Sequence, residues 1–334
     1  MDRSYGGVWF HGLSGLLVGA LLAVTAQAAP FTSVQDGDWD TPATWGGGVP
    51  GAGDTVTVAH TVGLSATATV SSATVTGSLV FDGWNTVLNA GTMNVNSGGI
   101  VTHNINTDTN GGDGWTPDNR INLQVNDLNV FGGALITADG KGYQGQCGPG
   151  AGGSDGGGGH GGVGGDYVYS GAGGGPTYGS GELPTAPGSG GGPGTGLPGG
   201  GAVWIEAANS VLVDGEISAD GKGMSSYMYN AGGSGGSIMI HTQSITGTGA
   251  LTATGGGQAS PVAWTYNRGG GGGGRISLRW PEYLNSLSPA VDLSGGTVLG
   301  SSTVSGNPGT LMPEPHAFTL LIAGVALVLA RRKR

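Results

Sequence analysis

Three pairs of aromatic residues stand at i, i+2 inside glycine-rich stretches: Tyr167 with Tyr169, Tyr227 with Tyr229, and Trp264 with Tyr266. On an extended segment such residues point the same way. Two rings facing one way can stack on sugar rings. The same rings can also cover backbone where glycine supplies no side chain, which is their plainer use. The last two pairs align, "YMYNAGGSGG" with "WTYNRGGGGGG".

A second chemical pattern is "GGVGGDYVY", residues 161–169, which fits the calcium-binding nonapeptide GGxGxDxUx and makes Asp166 its candidate ligand. That chemistry needs tandem copies, because each ion sits between successive turns, and the flanking windows do not fit. Asp139 and Asp220, in two "ADGKG" turns, offer a looser carboxylate–carbonyl arrangement. Asp-Gly is first of all a tight-turn pair, however. No cofactor is expected, with calcium at Asp166 as the weak candidate.

Catalytic patterns are poor. His60, His103, His160 and His241 are scattered, and HExxH does not occur. A non-enzymatic protein is therefore expected. The alternative is a polysaccharide lyase or glycoside hydrolase, because paired carboxylates can come from distant positions. Cys147 is the single cysteine, so an intramolecular disulfide and CxxC chemistry are excluded.

The elements that must position these residues are short strands. Glycine makes up 76 of 334 residues, about three times its usual share of roughly 7%, with no Gly-X-Y period. From Thr55 to Ala138 β-prone segments such as "TVTV", "SLVF", "RINLQV" and "ALITA" follow one another, with Gly, Asn, Asp or Ser between them. No 3.6-residue apolar stripe occurs. In the second half a unit repeats. "ALITADGKG" (Ala134–Gly142) recurs as "EISADGKG" (Glu216–Gly223) and fades to "ALTATGGG" (Ala250–Gly257). Each copy is followed by a glycine-rich stretch and a strand, and "DLSGGT" with "GNPGTL" reads as a degenerate fourth copy. Repeats of this length argue for stacked supersecondary units. The expected fold is all-β: a right-handed parallel β-helix, a solenoid with long glycine-rich loops, with a β-sandwich as the alternative. Large bacterial surface β-helix proteins resemble residues 134–311 in their glycine-rich inserts before an R-I-x-L type strand. The lead-in around Trp39 and Trp45 weakly resembles an extracellular β domain named for its eight glycines.

Both ends carry addresses. Arg3, an apolar stretch from Leu13 to Val24 and Ala26-Gln27-Ala28 read as a secretory signal helix cleaved to leave Ala29 first. Ala317–Ala330 is a 14-residue apolar run. As a transmembrane-type helix it would reach about 21 Å, short of a hydrocarbon core of about 30 Å. "PEP" (Pro313, Glu314, Pro315), this run, and Arg331, Arg332, Lys333 and Arg334 together resemble the PEP-CTERM sorting signal. The resemblance implies an exosortase-type processing protease as partner, and transient anchoring in the inner membrane of a Gram-negative-type bacterium. It also implies release to the cell surface or an exopolysaccharide matrix.

The organisation expected is a signal peptide over 1–28, a short-strand β region over 29–138, a glycine-rich repeat region over 139–311 and a sorting signal over 312–334. Between Asp36 and Glu314 six basic residues face twenty acidic ones without a basic cluster, which points away from nucleic acid. The function expected is that of an exported structural component of the surface or matrix. The further alternative is a glycan-binding or adhesin module using the aromatic pairs.

Overall fold

The computed structural model describes residues 1, 28–109, 111–167, 171, 173–192, 196–223, 230–257, 268–279, 289–297 and 305–313. Eighteen strands lie in two sheets. The first holds β1 (Pro30–Thr32), β3 (Thr55–Val58), β5 (Ala68–Val75), β7 (Leu88–Val95), β9 (Ile121–Val130), β11 (Ala202–Val213), β13 (Ser237–His241), β16 (Arg275–Arg279) and β18 (Thr310–Pro313) in that spatial order. β14 (Ser244–Thr246) pairs with the second half of β11. The second sheet runs β2 (Gly37–Asp38), β4 (Thr61–Leu64), β6 (Ser78–Phe81), β8 (Ile100–His103), β10 (Leu135–Thr137), β12 (Glu216–Ser218), β15 (Ala250–Thr252) and β17 (Ala290–Asp292).

This corrects the expected fold. The right-handed β-helix with loops on one side is replaced by two all-parallel sheets that share one core. The sandwich alternative fails as well, because every pairing described is parallel. The physical reason is that short strands with corner residues specify local turns, not how many sheets result. That number is set by which apolar rows face each other. The expected signal helix and transmembrane-type helix lie outside the described residues. Among the described residues no helix is long and apolar enough to cross a membrane.

The sheets are built from rows of identical or similar side chains. Val58, Val75, Val95, Val130 and Val213 pair in register across five strands, all fully buried. In the second sheet Val62, Leu79, Val101, Ile136, Ile217 and Leu251 do the same. Period-2 alternation puts these residues inward, and parallel sheets are stable only with such faces covered. The repeat seen in the sequence is the register itself. Val203 pairs with Ile238 and Ile238 with Ile276, while Ile136 pairs with Ile217 and Ile217 with Leu251. At the β1 end Trp39 and Trp45 are buried with ring centroids 5.1 Å apart, and Trp45 Nε1–H donates to the Trp39 carbonyl at 2.7 Å. Phe31 meets Trp45 edge-on, so three rings close that end of the core.

The glycine-rich stretches are a third packed body. Residues 269–274 show the arrangement. Gly269, Gly271, Gly272, Gly273 and Gly274 donate backbone hydrogen bonds to Asp155, Gly256, Gly158, Asn307 and Ala253, all at 2.7–3.0 Å. The same stretch accepts from Gly162, Gly165, Gly232, Gly235, Gly296 and Thr310. A strand in a sheet has two hydrogen-bonded neighbours. This stretch bonds to more, which makes the region a bundle rather than a sheet. The glycines of residues 269–274 are not at left-handed φ. They are needed because a Cβ on Gly271 would overlap the Gly233 carbonyl oxygen, so glycine serves for close approach of backbones.

Candidate functional site

The outward face of the first sheet carries a groove of about 820 Å³ across β5, β7, β9, β11 and the end of β13. Its origin is a break in the hydrogen-bond ladder at one level of successive strands. Pairing skips Ser71 opposite Gly91, skips Asn126 against Gly91, and shifts register between Ala207 and Ser210. An irregularity of this kind bends a strand and re-aims its side chains. Gly91 sits at the bend because a Cβ there would lie 2.6 Å from the Ser71 carbonyl oxygen.

Along the groove a single register row presents Thr69, Asn89, Gln124, Glu206, His241 and Arg279. Parallel neighbours are about 4.7–4.9 Å apart, so the row is a ladder of polar groups at that interval. Val70, Ala90, Val125 and Ala207, the next residues along these strands, belong to the core and reach the groove only by their edges. These four keep 4–8% exposure, whereas the valine row in the core has none.

One margin of the groove is a stacked cluster. The Arg120 guanidinium lies over the Trp84 ring at 4.9 Å and the Trp204 ring at 4.4 Å. Burial between the indoles pushes its pKa down to about 10, opposed by the Glu206 charge. Stacking of this kind is a strength of arginine over lysine. Trp204 Nε1–H donates to Glu206 Oε1 at 3.2 Å, which fixes that carboxylate in the row. Glu206 is the one carboxylate among the described groove-lining residues, whereas glycoside hydrolysis uses two. The arrangement can bind hydroxyl-bearing ligands.

None of the sequence-derived candidates within the described residues lines this groove. Tyr167 is buried, so its ring packs rather than presents a face. Tyr169, Tyr227, Tyr229, Trp264 and Tyr266 lie outside the described residues. Asp166 is exposed and accepts the Gly174 N–H at 2.7 Å through Oδ1. Among the described residues no group of three or more His, Cys, Asp or Glu could hold a metal ion. Asp139 Oδ1 accepts the Asp220 N–H at 2.7 Å, and Asp220 Oδ1 accepts the Thr254 N–H at 2.6 Å. These aspartates tie each repeat to the next. Burial, then the charge of Asp139, pushes the Asp220 carboxyl up to about 6 against the Thr254 hydrogen bonds.

Of the sorting motif, Pro313 ends β18, while Glu314, Pro315, Arg331, Arg332, Lys333 and Arg334 lie outside the described residues. At the signal site Ala26 lies outside them, Ala28 is exposed, and Ala29 is bonded into the first sheet. Trp84, Arg120, Trp204 and Glu206 were not singled out from sequence. Trp204 and Glu206 share one face of the strand "AVWIEA" by period 2, a signal that could have found them.

No family model, curated protein or solved structure matches the chain.

Proposed function

We propose that this protein is an exported, non-enzymatic component of the cell surface or extracellular matrix, sorted through its C-terminal tail. The observation that carries this reading is the junction at Ala29. The first strand begins at Pro30, directly after the expected cleavage site. The Ala29 carbonyl accepts the Thr55 N–H at 3.0 Å and its N–H donates to Asp54 Oδ1 at 2.9 Å. Cleavage after Ala28 converts that amide into an ammonium group beside a carboxylate that is already held by the Gly51 N–H at 2.8 Å. The Ala29 and Gly51 hydrogen bonds hold the Asp54 pKa below the ordinary carboxylate range. The glycine bundle supports the structural half of the reading. It is a scaffold closed by backbone hydrogen bonds, with few side chains to spare for chemistry.

Mass spectrometry of both termini, on separate membrane and matrix fractions, tests the proposal. A matrix form that starts at Ala29 and has lost Arg331–Arg334 is the expected result. An intact tail found in membranes alone would overturn it. A companion experiment reads the junction. The ammonium pKa of the processed chain is raised in the fold by Asp54 above the usual value of about 8. Its contribution is therefore present at lower pH and is lost as pH rises through the raised folded value. A processed chain should lose stability over that alkaline window, and an N-terminally acetylated one should not. Asp54→Asn should erase the difference between them.

A further inference from the structure

We propose that the groove across β5, β7, β9 and β11 binds an extended, uncharged polysaccharide lying across the strands. It rests on the exported reading for its choice of polymer, because a surface or matrix protein meets glycans at high concentration. Three observations on the groove carry the binding itself.

The first is the row Asn89, Gln124 and Glu206, in register on three adjacent strands. The Gln124 carboxamide can donate and accept, and so can engage a pair of neighbouring hydroxyls, while Asn89, whose Nδ2 already donates to the Ala68 carbonyl and Thr69 Oγ1 at 3.3 Å, offers its Oδ1 as an acceptor. Repetition at the strand interval matches a ligand that itself repeats along its length. The second is the thin apolar edge that core residues, including Val125 and Ala207, show in the groove beside the polar groups. A pyranose ring has an apolar C–H face and a polar rim, which is the same alternation. The volume of about 820 Å³ lies within the range of built ligand sites, roughly 300–1,000 Å³. The third is that Glu206 is not a loose surface charge. Trp204 holds it, and Trp204 is held in turn over Arg120. A fixed carboxylate is a strong acceptor for a sugar hydroxyl.

Charge selects the polymer. The chain carries a formal charge of −10, while inside the groove Glu206 is offset by Arg279, so the acidic field is that of the chain as a whole. A uronate polymer would meet that field as a like charge. Neutral glycans pass this selection and acidic ones do not. The groove is a second candidate for glycan contact beside the aromatic pairs.

The experiment is affinity electrophoresis of the purified full chain in gels containing mixed-linkage β-glucan, galactomannan or dextran, with polygalacturonate as the acidic comparison. Retardation by at least one neutral glycan is expected, with none by polygalacturonate. Asn89→Ala with Gln124→Ala should weaken that retardation at least tenfold at an unchanged melting temperature. If the double variant melts lower, Glu206→Gln serves instead, with a several-fold loss expected. Retardation by polygalacturonate alone overturns the proposal. So does failure of all three neutral glycans, or equal binding by the variants. Mass spectrometry of the termini tests export separately, so either reading can fail without the other.

Discussion

Gly271→Ala should destabilise the protein by about 2–4 kcal/mol, whereas Gly132→Ala should change stability by no more than about 0.5–1 kcal/mol in either direction. Both are glycines outside the left-handed region, so backbone strain does not separate them. Space does. A Cβ on Gly271 would overlap the Gly233 carbonyl oxygen, while a Cβ on Gly132 would come no nearer than 4.0 Å to the Asp214 carbonyl oxygen. The obstacle at Gly271 is backbone, which cannot rotate aside as a side chain can. Moving it disturbs the hydrogen bonds that Gly271 makes with Gly256 and Gly296. A loss of this size is a large fraction of a typical net stability of about 5–15 kcal/mol. Urea unfolding of the two variants checks it. Equal midpoints would show that the bundle contributes little to folding.

Acid should weaken the fold between about pH 6.5 and 4, through His103 and His160. Both are fully buried, and burial pushes each imidazole down to about 4. The hydrogen bonds explain why the neutral form fits. His103 Nδ1–H donates to the Asn104 carbonyl at 2.6 Å, leaving Nε2 to face the Ala202 N–H at 3.4 Å. His160 Nδ1–H donates to the Gly235 carbonyl at 2.9 Å, and its Nε2 is buried without a hydrogen-bond partner. A second proton would set a donor against a donor at His103 and strand one at His160. The folded pKa lies below the unfolded value of about 6.5, so the unfolded chain binds more protons between those values. Stability is full above about 6.5 and falls as pH drops toward 4. The limit is about 3 kcal/mol for each histidine. Asp220 acts in the opposite direction. Its folded pKa is raised to about 6, so its contribution grows as pH falls through that value. Asp220→Asn should therefore steepen the acid loss. Urea midpoints measured from pH 7.5 to 4 read both effects, and a flat profile would show that the histidines are not buried in solution.

Much of the fold was legible in particular residues. "ALITADGKG" and "EISADGKG" share a sequence because Ile136 and Ile217 occupy one row, and neighbouring units must present matching faces. The strand starts at Val203, Ile238 and Ile276 were visible for the same reason. The number of sheets was not legible, since alternation tells a residue that it points inward but not what it will meet there. The site was less legible still. Trp84, Arg120 and Trp204 are distant in sequence, and neither indole stands in a paired motif. Tyr167 had the spacing of a presented ring, yet it is buried in the glycine-rich body.

By itself the sequence determined that the chain is β-structured, repeated and acidic, because composition, period 2 and unit spacing are local properties that survive without knowledge of contacts. It also specified the resemblance of the two ends to export and sorting signals. Tertiary structure alone decided the two-sheet stack, the groove and the role of glycine. A groove exists only where breaks on separate strands fall at one level. A glycine's purpose here is set by the carbonyl that approaches it, and that carbonyl belongs to a residue far along the chain.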